Sequence, residues 1–152
     1  MEINRLGTHQ VMIKTYFTFP CIAILDTNII LLIAQNKIKY DNVIETINGC
    51  IPSLILPIYN ELKRIASENT ERGRLALWSL NNLVSNLNMV RVEGDDIVKG
   101  DEAILHVINK LKDVTKIVVV TADMELKNKL IKNRIHVVWY REAKNGLESI
   151  TF

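Results

Sequence analysis

Lys116-Ile117-Val118-Val119-Val120, followed at once by Thr121-Ala122-Asp123, is the stretch whose reading decides the fold. Three valines after an isoleucine form a short, uninterrupted, β-branched run, the pattern of a strand buried on both faces. Toward the N-terminus, Cys21 to Leu25 is a second such run and stops at Asp26. A third, Ser53-Leu54-Ile55-Leu56, lies between Pro52 and Pro57. Asn88 to Glu93 alternates as a further strand, and Ile135 to Tyr140 supplies a fifth.

The segments between these runs carry helical spacing. Asp41 is placed to cap a helix with Val43, Ile44 and Ile47, ending near Asn48-Gly49. Pro57 can open the helix that carries Glu61. Glu71 to Leu87 bears Leu75, Leu77, Trp78, Leu80, Leu83, Val84 and Leu87, a stripe wide enough to require burial on one side. Asp101 to Leu111 predicts a buried helix with an acidic first turn, and Leu126, Leu130 and Ile131 mark the last amphipathic helix. Strands alternating with helices imply right-handed crossovers and a mainly parallel sheet covered on both faces, hence an α/β class.

The 152 residues, 48% hydrophobic and 24% charged, suit one globular domain with a full core. No repeat or linker divides the chain, so residues 1–20 are read as a lead of uncertain structure and 21–152 as the domain. A net charge of +2 permits nucleic-acid binding without arguing for it. Pro20, Asp26 and Asn28 interrupt the apolar stretch from Phe17 to Ala34, which argues against a membrane span, and no secretion signal is evident, so a cytoplasmic location is expected. Cys21 and Cys50 form no CxxC pair and read as two buried free thiols. Trp78 and Trp139 both lie in apolar periodic segments and read as core. His106, between Leu105 and Val107, is assigned no role.

In an open α/β sheet, ligands bind outside the carboxyl ends of the strands, where strand order reverses. Asp26, Glu61, Asp101 and Asp123 each follow a strand and so fall on that one edge. Singly, each has a bland reading as a helix cap or a solvated helix residue. Jointly they do not, because nothing about capping requires an acid after each of four strands. Carboxylates brought together resist ionisation unless a cation neutralises them, and an all-oxygen donor set favours Mg²⁺ or Mn²⁺ over Zn²⁺. Such an ion can activate water against a phosphodiester. Thr27, Asn28 and Thr121 stand beside the strand-end aspartates as supporting residues that could orient a carboxylate or meet a phosphate oxygen.

These segments resemble the PIN domain family over nearly everything after residue 20. Ile24-Leu25-Asp26-Thr27-Asn28, Asn60-Glu61-Leu62, Gly100-Asp101-Glu102-Ala103-Ile104-Leu105 and Val120-Thr121-Ala122-Asp123 are similar to its four motifs, in order. The resemblance implies a three-layer α/β/α sandwich with a central five-stranded parallel sheet. It also implies divalent-metal binding and endonucleolytic cleavage of RNA, with Asp26, Glu61, Asp101 and Asp123 catalytic. Where the ribosomal group of the family usually carries two adjacent aspartates, this chain has Asp101-Glu102, which leaves open which of the two is the closer metal ligand.

Leu31-Leu32-Ile33-Ala34-Gln35 and Arg72-Gly73-Arg74-Leu75-Ala76-Leu77 are most similar to archaeal and eukaryotic members linked to small-subunit rRNA processing. VapC-type toxins are the rival subgroup, and a catalytically idle RNA- or protein-binding module is the reading from another class. The corresponding partners are RNA, with an antitoxin in the toxin reading, a ribosome-assembly partner in the processing reading, or a second copy of the chain as a homodimer. Lys63, Arg64, Arg72 and Arg74 are the preferred phosphate-backbone contacts; Lys127, Lys129, Lys132 and Arg134 are further candidates, although Lys127 to Lys132 read more readily as a solvated helix face.

Overall fold

The computed structural model describes residues 21–152 in full, together with the backbone of Glu2–Arg5 (β1) and Val11–Lys14 (β2). Cys21–Leu25 (β3), Ile51–Ile55 (β4), Asn88–Arg91 (β5), Lys116–Thr121 (β6), His136–Arg141 (β7) and Gly146–Ile150 (β8) complete the strands. They form one sheet in the order β2-β1-β5-β4-β3-β6-β7-β8. Its centre, β5-β4-β3-β6-β7, is parallel and comprises the five strands read from sequence. Antiparallel strands extend it: β1 on β5, β2 on β1, and β8 on β7. Part of the N-terminal lead thus joins the sheet.

Burial explains why the runs are so uniformly apolar. Every residue of β3 is buried, and Ile117 to Thr121 of β6 are buried as well, because both central strands are covered on two faces. Thr27–Ala34 (α1), Tyr40–Ile47 (α2), Leu56–Ala66 (α3), Glu71–Asn82 (α4), Asp101–Leu111 (α5) and Met124–Lys132 (α6) make the flanking layers. Asp41 sits in the first turn of α2 rather than at its cap, which is Lys39, and Asn48 closes that helix in the left-handed conformation. Among the described residues, no helix is long and apolar enough to cross a membrane.

Three sequence expectations fail here. The helix expected over Glu71 to Leu87 ends at Asn82 and is followed by a 3-10 turn, Val84–Asn86. Trp78 is not core: it is 45% exposed, and Leu77 is 50% exposed. The inner face of α4 is built instead from Gly73, Ala76 and Ser79, because α4 packs tightly on α3. A Cβ on Gly73 would collide with the carbonyl oxygens of Ile65 in α3 and of Glu68 in the connection to α4, so small residues occupy the contact and the large ones rotate outward. The cysteines, finally, are not free thiols: Cys21 and Cys50 form a disulfide with Cα atoms 4.6 Å apart. Parallel pairing of Ile22 with Ile51 brings the residue before each of them side by side, a proximity that sequence spacing does not encode. Trp139 is partly buried and packs against the core.

Candidate active site

β3 is where the connectivity reverses. The chain proceeds from β3 through β4 to β5 on one side, then returns to place β6 and β7 on the other. The crevice at the carboxyl ends of β3 and β6 is therefore the expected ligand position. The Asp26 backbone N–H donates to the Val120 carbonyl at 3.0 Å, locking the two strand ends together where their acidic residues emerge.

Asp26 is the N-cap of α1: its Oδ1 accepts from the Thr27 N–H at 2.8 Å, and its Oδ2 accepts from the Thr121 hydroxyl at 3.0 Å. The same Thr121 oxygen accepts from the Asp123 N–H at 3.0 Å. Asp123 in turn caps α6, accepting from the Leu126 N–H at 3.0 Å. The Thr27 hydroxyl donates to Glu61 Oε2 at 2.7 Å, joining the second turn of α3 to the network. Both threonines are buried, so their rotamers are held by packing and the carboxylates inherit that order. Asp26 and Asp123 are thus both helix caps; in each, one carboxylate oxygen serves the helix, and in Asp26 the other is held by Thr121.

Asp101 is the first residue of α5, behind Gly100 at φ 65° and ψ −147°, a conformation that side-chain-bearing residues rarely adopt. Asp101 opens the helix directly after that glycine, within electrostatic reach of Asp26 and Asp123. Burial raises the Asp101 pKa, the Asp123 charge raises it further, and the Lys129 ammonium, 3.7 Å away, opposes both. Asp26 is held at about 6: burial dominates, the Thr121 and Thr27 hydrogen bonds oppose it, and the Asp101 and Glu61 charges add to it. The four acids thus act on one another, although they come from four separate segments. Glu102 is the exposed neighbour of Asp101 on the same helical turn, and it is Asp101 whose charge reaches Asp26.

The donor set is all oxygen, and burial together with mutual repulsion disfavours the charged form of Asp26 and Asp101. Among the described residues, no three His, Cys, Asp or Glu side chains converge closely enough to hold an ion unaided. Such a set fits a hard divalent ion that keeps several waters and takes only one or two carboxylates directly. Asp26, Asp101 and Asp123, with Glu61, are the residues that would hold it.

The predicted RNA contacts are dispersed. Arg64 lies 4.0 Å from Glu61 and 3.2 Å from Glu68, on the wall of a cavity of about 270 Å³ formed with Pro57, Asn60, Glu61, Val98 and Lys99. Lys63 is exposed, its ammonium 5.4 Å from the centre of the Tyr59 ring. Arg72 and Arg74 project from the first turn of α4, and Arg72 lines a groove of about 420 Å³ with Asn28, Leu31, Leu32, Leu75 and Ala122. Asn28 is exposed there. Sequence reasoning missed one residue of the surrounding structure. Buried Asp95 accepts from the Val92 N–H at 3.0 Å and pairs with Arg91 at 3.2 Å, bracing the loop that leads to Asp101. Lys129, one of the lesser candidate contacts on the basic face of α6, pairs with Asp101; that partner is distant in sequence, so no local signal sets Lys129 apart from its neighbours. His106 has a structural contact, Nε2 lying 2.8 Å from the Glu93 carbonyl.

Residues 23–143 match a family model described as a PIN like domain. Ribonuclease VapC4 of Methanocaldococcus jannaschii is 32% identical over 126 residues, covering 78% of this chain and 89% of that protein. The solved PIN domain endonuclease Utp24 shares the fold with a TM-score of 0.64 at 17% identity, over 88% of this chain and 93% of that one. With the family match spanning most of the chain, and the four acidic segments meeting at the switch point of its sheet, this protein belongs to the PIN domain family.

Proposed function

We propose that the protein is a Mg²⁺- or Mn²⁺-dependent endoribonuclease in which Asp26, Asp101 and Asp123 hold the ion and Glu61 assists. The observation that carries this reading is the Thr27–Asp26–Thr121–Asp123 hydrogen-bond chain, with Asp26 pushed to about 6 at its centre. A buried aspartate resisting ionisation beside other acids is a standing demand for a cation. An ion held by these carboxylates would supply an activated water and offset charge on the leaving oxygen. The chain's own contribution is orientation. Thr121 and the Thr27 N–H fix both oxygens of Asp26, Thr27 fixes Glu61, and the α6 N-terminus fixes Asp123. With water as nucleophile, the products carry 5′-phosphate and 3′-hydroxyl ends.

The motifs favour a role in rRNA processing. A second reading, the toxin half of a toxin–antitoxin pair, is favoured by the relative named Ribonuclease VapC4. Growth arrest on expression, relieved by a neighbouring antitoxin gene, separates it from the first. The decisive test of the site is Asp123→Asn, because Asn caps a helix as well as Asp and the fold is retained. Mn²⁺-dependent cleavage of a single-stranded RNA should fall by about 100-fold or more. Cleavage at the wild-type rate would overturn the assignment.

A further inference from the structure

The three lysines of α6 are not equivalent. Lys127 lies over the Trp139 ring, 3.5 Å from its centre, and is committed to the sheet. Lys132 is exposed in the last turn. Lys129 reaches off its own helix: its Nζ is 3.7 Å from Asp101 on α5 and 3.7 Å from Glu125. Among the described residues, Lys129 and Arg64 are the cations in ion-pair contact with the four acids, Arg64 through Glu61 on α3 and Lys129 through Asp101 on α5. They approach the network from different elements.

As a stability device the Lys129 pair is weak. The Lys129 side chain is 46% exposed, both contacts are longer than a direct charge-assisted hydrogen bond, and exposed pairs of this kind contribute little. Its placement has a sharper consequence. A divalent ion taken up by Asp101 competes with the ammonium for that carboxylate, and a strand of RNA delivers phosphates to the same place. A lysine on a flexible four-carbon stem, with three rotatable donors, can change partners without moving the backbone. Building on the function proposed above, we propose that Lys129 is a phosphate-binding residue of this site, exchanging Asp101 for an RNA backbone phosphate when the divalent ion binds.

The proposal predicts opposite signs for two binding equilibria, which loss of local structure would not produce. In Lys129→Gln, Mn²⁺ should bind about fivefold more tightly by calorimetry, because a competing positive charge has gone. A fluorescent single-stranded RNA, titrated in Ca²⁺ with its integrity checked on a gel, should bind about 3- to 10-fold more weakly. The slope of log affinity against log salt should shrink by about 0.7, one phosphate contact on a single strand. Lys129→Arg should restore RNA affinity, and Lys132→Gln should change neither equilibrium. If Lys129→Gln leaves both equilibria unchanged, or weakens both together, the assignment of Lys129 is overturned while the metal site stands. If the wild-type chain binds no Mn²⁺, the functional reading falls and this proposal with it.

Discussion

Strand β3 is held by different physics at its two ends. At its start, Cys21 is covalently tied to Cys50, closing a loop with a sequence separation of 29 that contains α1 and α2. At its other end the chain delivers Asp26 into a network where burial and two neighbouring carboxylates resist its ionisation. One end lowers the entropy of the unfolded chain; the other retains unfavourable charge in the folded one. The difference teaches that the two ends of this strand bear on stability through separate physical terms, so the covalent tie can be perturbed with limited effect on the proposed chemistry.

The largest stability effect should come from the disulfide end. A loop of that length is worth about 3–4 kcal/mol on the chain-entropy view. Reducing the bond, or replacing both cysteines by serine, should lower Tm by roughly 10 °C in a chain of this size. The RNA-cleavage rate measured well below the transition should be unchanged. A matching loss of activity there would show that the two ends are coupled.

The carboxylate end should give a pH effect of slightly smaller size. Folded Asp26 keeps its proton up to about pH 6, whereas its ordinary value is 3.8. Its contribution is fully present below about pH 4 and is lost as pH rises through about 6, by up to about 3 kcal/mol without divalent ions. Denaturant unfolding in chelator, from pH 4 to pH 7, should show this decline. Asp26→Asn should flatten it and be the more stable chain at pH 7, while Mn²⁺ should offset it in the wild type. Stability that rises over this interval would contradict the described charge network.

The smallest effect tests how the acids are aimed. Thr121→Val removes the hydroxyl that donates to Asp26 and accepts from the Asp123 N–H. Mn²⁺ affinity should fall by about 10- to 100-fold, as for other residues that orient ligands. Thr27→Val, which releases only Glu61, should lie at the lower end of that range. Unchanged Mn²⁺ affinity in both variants would mean that the threonines serve the fold alone.

The parallel core and its acidic edge were legible along the chain because their signals are local. An aliphatic run such as Ile117–Val120 is what a strand covered on both faces requires, and the residue just past such a run must emerge at the sheet edge. Asp26 and Asp123 could therefore be placed by counting, and Glu61 and Asp101 by their distance past a strand. What depended on the third dimension involves pairs remote in sequence or the rotation of a helix about its axis. The Cys21–Cys50 bond follows from the Ile22–Ile51 register, and the exposure of Trp78 follows from the close approach that Gly73 permits. The setting of Lys129 follows from where α5 and α6 meet. Residue order and periodicity specify which groups arrive at the edge of the sheet. Packing alone decides which of them touch, because a side chain's neighbours across elements are set by tertiary geometry and leave no period in the chain.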